Sequence, residues 1–194
     1  MPDKAVYAFV FDGFSDWEPA HAVAVLRGSA NYRVETVGLT SAPIRSMGGF
    51  TVLPSKALSE VDPVDVAAFI LPGGDRWERA PVGPPIAELL TALNSQGVPI
   101  AAICGATIAI ASIGLLRGRR HTSNSLDYLR SFVPHYAEAT SYVDAPAVRD
   151  GKLITASGLA DVEFARELLE ELNVLTPAER AEWAQMFRNA ALPG

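Results

Sequence analysis

The chain has 194 residues, of which 49% are hydrophobic and 20% charged, with a formal net charge of -6 and a pI near 5.1. This balance is typical of a folded globular protein and excludes a disordered chain. The acidic character argues against a nucleic-acid partner, because phosphate groups repel such a protein. A single cysteine, with no signal-peptide pattern and no apolar run long enough for a bilayer, indicates a cytoplasmic protein that does not enter membranes.

Short apolar runs alternate with longer helical patterns along the chain. This alternation indicates βαβ units, and it predicts one α/β domain over residues 1–194 with a mainly parallel central sheet and helices on both faces. The predicted strands are 5–11, 32–39, 65–71 and 98–103, with a hairpin over 147–158. The predicted helices are 15–28, 82–97, 105–115, 125–132 and 160–172, followed by a last helix that begins at 176.

Local signals mark several ends of these elements. Asp150-Gly151 is a strong hairpin turn, and Thr176, Pro177 and Glu179 form a capping-box pattern at the start of the last helix. Ser15 and Glu18 have the same spacing, which predicts Ser15 as the N-cap of the first helix.

Three features fall at the carboxyl ends of predicted parallel strands, where open α/β sheets bind ligands. Glu18 follows the first strand, Gly74 closes the Pro-Gly-Gly loop after the third, and Cys104 follows the fourth. A cysteine between a strand and a helix N-terminus is placed to favour the thiolate, so we expect a lowered thiol pKa. The amides of Gly74 and Gly105 are candidate donors to an oxyanion, and a protonated Glu18 would donate to the sulfur.

Each feature also has a purely structural interpretation. A lone cysteine is more often a small buried apolar residue than a nucleophile, and Glu18 near a helix start is ordinarily a capping residue. His21 and His121 are candidate bases that are more often surface or satisfied side chains. The three histidines and one cysteine show no zinc-ligand spacing, so we expect no metal and no other cofactor.

Taken together, the motifs resemble those of the ThiJ/PfpI superfamily, whose fold is like that of class I glutamine amidotransferases. They are DGFSDWEPA, FILPGG, VPIAAICGAT, LLRGRRHTSN and LITASGLADVEFARELLEEL. The resemblance implies a flavodoxin-like three-layer sandwich and a homodimer. It also implies that Cys104 is a reactive thiol, Glu18 its protonated partner, and Gly74 and Gly105 the oxyanion donors.

The sequence departs from that pattern at three histidines. Gly105 replaces the histidine that follows the nucleophile in protease-like members, so we do not expect a protease. Glyoxalase-like members carry a histidine in the segment after the helix that follows the nucleophile. That histidine aligns with Asn124 here, and His121 lies three residues earlier. No histidine follows His135, so the glutamine amidotransferase triad is incomplete.

Two functions of different classes follow. The first is a cysteine-dependent hydrolase, hydratase or glyoxalase-like enzyme for a small electrophilic carbonyl or amide substrate. Trp17 and Trp77 flank the candidate loops and are candidates either to line the pocket or to pack in the core. The alternative is a non-catalytic oxidative-stress sensor or chaperone that uses an oxidisable Cys104.

Overall fold

A seven-stranded sheet lies at the centre of the protein, in a computed structural model that describes residues 4–190. The strands are β1 (Ala5–Phe9), β2 (Arg33–Gly38), β3 (Ile44–Arg45), β4 (Thr51–Val52), β5 (Lys56–Ala57), β6 (Val66–Leu71), β7 (Ile100–Ile103), β8 (Ala147–Asp150) and β9 (Leu153–Ala156). The helices are α1 (Ala20–Gly28), α2 (Arg76–Arg79), α3 (Pro84–Ser95), α4 (Ala106–Ser112), α5 (Leu126–Phe132), α6 (Asp161–Glu171) and α7 (Pro177–Asn189).

The sheet has the order β5-β2-β1-β6-β7-β9-β8. All neighbours are parallel except β8 and β9, which form the predicted antiparallel hairpin at one edge. Strands β1, β6 and β7 are buried along their whole length, as expected for parallel strands that are covered on both faces. The predicted flavodoxin-like three-layer architecture is confirmed.

Side chains alternate between two hydrophobic clusters on the two faces of the sheet. Tyr7 and Phe9 of β1 pack in the cluster that includes α3 and α4, whereas Val6 and Ala8 pack with α1 and α6 on the other face. A separate two-stranded hairpin, β3 with β4, encloses a turn at Met47-Gly48. It lies against the loop after β1, since the Met47 amide donates to the Phe14 carbonyl at 2.8 Å.

The two predicted capping boxes have different outcomes. At α7 the prediction is confirmed, because the Thr176 amide donates to Glu179 Oε2 at 2.7 Å and the Glu179 amide donates to Thr176 Oγ1 at 3.3 Å. At α1 it is wrong: the helix begins at Ala20 with Pro19 as N-cap and no side-chain cap. Glu18 is instead drawn into the interior, where a backbone amide from another loop binds it.

The cap of α7 can be tested by Thr176→Ala. The variant should lower the free energy of unfolding by about 1 kcal/mol, since it removes the N-cap acceptor. Chemical denaturation measures the change, and Thr176→Ser, which keeps the hydroxyl, should behave almost like the natural protein. An unchanged midpoint for Thr176→Ala would show that the cap adds nothing to stability.

Candidate active site

The site lies where the sheet connections change direction. Strand β1 lies between β2 and β6, so the chain leaves β1 towards one edge of the sheet and leaves β6 towards the other. A crevice forms at such a point at the carboxyl ends of the strands. The loops after β1, β6 and β7 bring Glu18, Gly73 and Cys104 together there, so the predicted convergence of the three strand ends is confirmed.

Cys104 forms a sharp turn between β7 and α4. Its φ is +58°, a left-handed conformation that costs a non-glycine residue about 1–3 kcal/mol unless the surroundings hold it. The Cys104 amide donates to the Ala156 carbonyl at 2.9 Å, and the Cys104 carbonyl accepts from Thr107 Oγ1 at 2.6 Å. Thr107 Oγ1 also lies 2.6 Å from Ser123 Oγ. These bonds attach the turn to β9 and to the segment after α4.

Glu18 is 1% exposed, and its Oε2 accepts a hydrogen bond from the Gly73 amide at 2.5 Å. Two glycines allow this carboxyl to approach the sulfur. A methyl group on Gly73 would lie 2.9 Å from both Cys104 Sγ and Glu18 Oε2, and one on Gly158 would lie 2.8 Å from the sulfur. Gly158 was not recognised as a site residue from the sequence, since nothing local distinguishes it from an ordinary loop glycine.

Burial controls the protonation of this pair. It raises the pKa of Glu18 to about 7, against smaller opposing effects of the Gly73 amide, the Cys104 thiol and the Ser15 hydroxyl. Burial and the charge of Glu18 raise the pKa of Cys104 to about 11. The expected lowering of the thiol pKa is therefore wrong: Asn124 and the Gly105 amide do favour the thiolate, but desolvation outweighs them. Near neutral pH the resting pair is a thiol beside a partly ionised carboxyl.

Asn124 occupies the place beside the sulfur. Its Nδ2 donates to Cys104 Sγ at 3.4 Å, and its Oδ1 accepts from the Gly158 amide at 2.9 Å. The side chain therefore connects the loop after α4 to the loop after β9, directly over the sulfur. The alignment that put Asn124 rather than His121 at this position agrees with the structure.

Both candidate histidines lie elsewhere. His121 is fully buried, its Nδ1 lies 2.7 Å from the Arg119 carbonyl and its Nε2 lies 2.5 Å from the Tyr136 hydroxyl, and burial lowers its pKa. His21 Nε2 lies 3.3 Å from Asp161 Oδ2. Neither lines the pocket at Cys104, so the interpretation of both as satisfied side chains is confirmed.

The two tryptophans also separate. Trp77 is 4% exposed and packs in the core, where its Nε1 donates to the Pro72 carbonyl at 2.8 Å; it does not line the pocket, so the core interpretation of Trp77 is the correct one. Trp17 is 47% exposed and does line the pocket. The two differ because Trp77 lies on the short helix α2 facing the aromatic side chains of Phe9 and Phe11.

The pocket over the sulfur has a volume of about 380 Å³ and opens to solvent. Glu78 also lines this pocket. The sequence did not indicate it, because Glu78 is held there by a hydrogen bond from Tyr128, which lies 50 residues later in the chain. The lining residues are Ser15, Trp17, Glu18, Met47, Gly74, Asp75, Glu78, Cys104, Gly105, Asn124, Ser157, Gly158 and Leu159.

Residues 4–190 contain no group of three or more His, Cys, Asp or Glu side chains placed to hold a metal ion. No helix in this range is long and apolar enough to cross a membrane.

This combination of a flavodoxin-like sheet and a cysteine at a strained strand-to-helix turn beside a buried glutamate defines a class of cysteine-site α/β proteins. Comparison with known proteins identifies the family. Residues 4–171 match the DJ-1/PfpI family, and the chain belongs to it.

Similar proteins cover almost the whole chain. A Bacillus subtilis protein named "Uncharacterized protease YoaZ" is 38% identical, over 96% of this chain and 91% of that protein. "Deglycase PYRAB04690" of Pyrococcus abyssi is 30% identical over 83% of this chain and 95% of its own length. The crystal structure of a ThiJ/PfpI family protein from Bacillus anthracis superposes with a TM-score of 0.90 at 35% identity, covering 98% of this chain and 92% of that one. The relatives thus support a hydrolase-like activity at the level of the family.

Glu18→Gln tests the burial of the carboxyl. A carboxyl whose pKa is raised by folding destabilises the native state as the pH rises from the unfolded to the folded pKa. The natural protein should therefore lose stability from about pH 4.5 to about pH 7 through this group. Glu18→Gln removes that loss, on the order of 3 kcal/mol.

Chemical denaturation at both ends of this pH window measures the difference between the variant and the natural protein. Glu88→Gln, which removes an exposed carboxylate on α3, is the control. Parallel pH profiles for Glu18→Gln and the natural protein would contradict the raised pKa.

Proposed function

We propose that the protein is a cysteine-dependent enzyme of the hydrolase, hydratase or glyoxalase type that acts on a small electrophilic carbonyl or amide compound. The observation that carries the proposal is the Cys104–Glu18 pair in an open pocket. A carboxyl whose pKa is about 7 is well matched to act as a general base near neutral pH. The name deglycase of the Pyrococcus abyssi relative supports a carbonyl-derived substrate.

The first step couples proton transfer to attack. The thiol proton of Cys104 passes to the Glu18 carboxylate as the sulfur lone pair forms a bond to the carbonyl carbon. The carbonyl π electrons move to oxygen, and the amides of Gly74 and Gly105 stabilise the resulting oxyanion. Both glycines line the pocket, and the Gly105 amide already favours negative charge on the sulfur.

The second step returns the proton. Protonated Glu18 donates it to the oxyanion, or to the leaving group when the adduct collapses to a thioester. In the latter case Glu18 then removes a proton from the water that attacks the thioester, and it returns this proton to the Cys104 sulfur as the C–S bond breaks and the product leaves. No histidine is needed in this scheme, because Glu18 carries the proton in both directions.

The open pocket of about 380 Å³ over Cys104 and Glu18 supports this enzyme over the sensor or chaperone alternative, because a cysteine that only senses an oxidant needs no cavity of substrate size. Oxidation to sulfenic acid follows thiolate character, and burial and the charge of Glu18, which raise the pKa of Cys104, oppose it. The expectations of a homodimer and of a cytoplasmic protein without nucleic-acid partners stay predictions.

Glu18→Gln gives opposite results in two assays under this mechanism. Turnover of a panel of small aldehydes, ketoaldehydes and primary amides should fall at least about 100-fold, as expected for the loss of a general base. Alkylation of Cys104 by iodoacetamide should become faster, because removing the negative charge lowers the thiol pKa.

Cys104→Ser should abolish turnover and alkylation together. Turnover that survives in Cys104→Ser would exclude the nucleophile. Slower alkylation in Glu18→Gln would contradict the raised thiol pKa and the base role of Glu18, because it would show that a protonated Glu18 stabilises a resting thiolate.

A further inference from the structure

The charge of the pocket lining is one-sided. Among the residues that line the pocket, three carry carboxyl groups, Glu18, Asp75 and Glu78, and none is Lys, Arg or His. Such a lining attracts cations and repels anions, an effect that weakens with ionic strength. The sign of the lining therefore restricts the substrates that reach Cys104.

Glu78 is the one of these three carboxylates that is neither ion-paired nor buried. Asp75 forms an exposed ion pair with Arg79 at 2.7 Å, and Glu18 is 1% exposed. Glu78 makes no ion pair with any residue between 4 and 190. The pocket thus presents Glu78 as its free negative charge.

Tyr128 fixes the position of Glu78. The Tyr128 hydroxyl donates to Glu78 Oε1 at 2.6 Å, which joins α5 to α2 beside the elbow. The same hydroxyl would lie 3.4 Å from a methyl group on Gly105. Because burial and Glu78 raise the pKa of Tyr128, the phenol stays neutral and acts only as a donor. Glu78 Oε2 remains free for a second donor.

Two further observations point to a ligand. Glu18 Oε1 is buried and has no hydrogen-bond partner of good geometry within residues 4–190, although Glu18 lines the pocket. Trp17 exposes 47% of its surface at the pocket mouth. An exposed indole face stabilises a bound cation, so it complements the Glu78 carboxylate.

We propose that this pocket selects substrates in which an amine or guanidinium group accompanies the electrophilic carbon, with Glu78 binding the cation and Tyr128 acting as its positioning residue. The inference rests on the proposed function, since it describes the substrate of the same site. The unpaired Glu18 Oε1 faces the reacting end of that substrate, and Trp17 covers its cationic end. Carboxylate-bearing oxoacids are disfavoured, because their charge has the same sign as the lining.

Charge-matched thiol reagents test this preference without any turnover. Cys104 is treated with methanethiosulfonates that carry a trimethylammonium, a neutral methyl or a sulfonate group. In each case the thiolate sulfur attacks the sulfenyl sulfur and methanesulfinate leaves. Rates are normalised to those of 2-mercaptoethanol, and the fold of each variant is checked by near-ultraviolet circular dichroism.

We expect the normalised rate of the cationic reagent to exceed that of the anionic one roughly tenfold, and Glu78→Gln to reduce this ratio about threefold. Tyr128→Phe should reduce the ratio in the same direction, because Glu78 loses its anchor. Glu88→Gln changes the net charge by the same amount at an exposed position on α3 outside the lining and should leave the ratio unchanged.

Salt gives a second test on the natural protein alone. The ratio should shrink as ionic strength rises from about 0.02 to about 0.5 M. An equal fall in Glu78→Gln and Glu88→Gln, or a ratio that is insensitive to salt, would overturn the inference. Turnover of neutral substrates with equal reagent rates would leave the proposed enzyme intact and remove only the cation preference. An intact preference for the cationic reagent without any turnover would support the cation preference of the pocket and remove the proposed enzyme.

Discussion

The buried carboxyl of Glu18 is the group around which the site is built. Taking a carboxyl out of water is costly unless donors compensate it, and here the main compensation is the amide of Gly73, 2.5 Å away, with smaller effects of the Cys104 thiol and the Ser15 hydroxyl. Oε2 accepts the Gly73 amide, and Oε1 has no hydrogen-bond partner within residues 4–190. The bond from Gly73 connects the loop after β1 to the loop after β6, and it places a titratable carboxyl beside the only cysteine.

The elbow at Cys104 depends on the same packing. Its left-handed backbone is held by β9 and by the Thr107–Ser123 contact, while Gly73 and Gly158 leave room for the sulfur. A side chain at either glycine would compete with the sulfur for the same space. Strain, burial and close approach are therefore concentrated at one position, which is typical of functional sites.

The protonation state of Cys104 and Glu18 differs from that of a cysteine site with a thiolate at rest. A cysteine at an exposed helix N-terminus is a thiolate at rest. Cys104 instead follows a buried strand, opens a helix of seven residues and faces a carboxylate, so both burial and charge oppose ionisation. Such a thiol is activated only when a neighbouring base accepts its proton, and Glu18 is the group whose pKa suits that task. This protonation supports the proposed enzyme, in which a bound substrate initiates the proton transfer.

Much of this could be predicted from local patterns. Apolar runs of strand length determined β1, β6 and β7, the Asp150-Gly151 turn determined the β8–β9 hairpin, and the Thr176 capping box determined the start of α7. These features depend on residues within a few positions of one another, so the amino-acid order contains them. Strand ends in a parallel sheet share one edge, which is why the meeting of Glu18 and Cys104 was also predictable.

Only the tertiary structure decided which partner each polar side chain found. Glu18 satisfies the amide of Gly73, 55 residues away, instead of capping α1, and the spacing of its neighbours in the chain contains no trace of that choice. The Tyr128–Glu78 contact and the burial of His121 against Tyr136 likewise join separate segments. Trp17 and Trp77 have similar sequence surroundings, yet one faces solvent and the other the core. Long-range packing sets burial, and burial sets the pKa values, so the chemistry of Cys104 was decided by the fold and not by its local sequence.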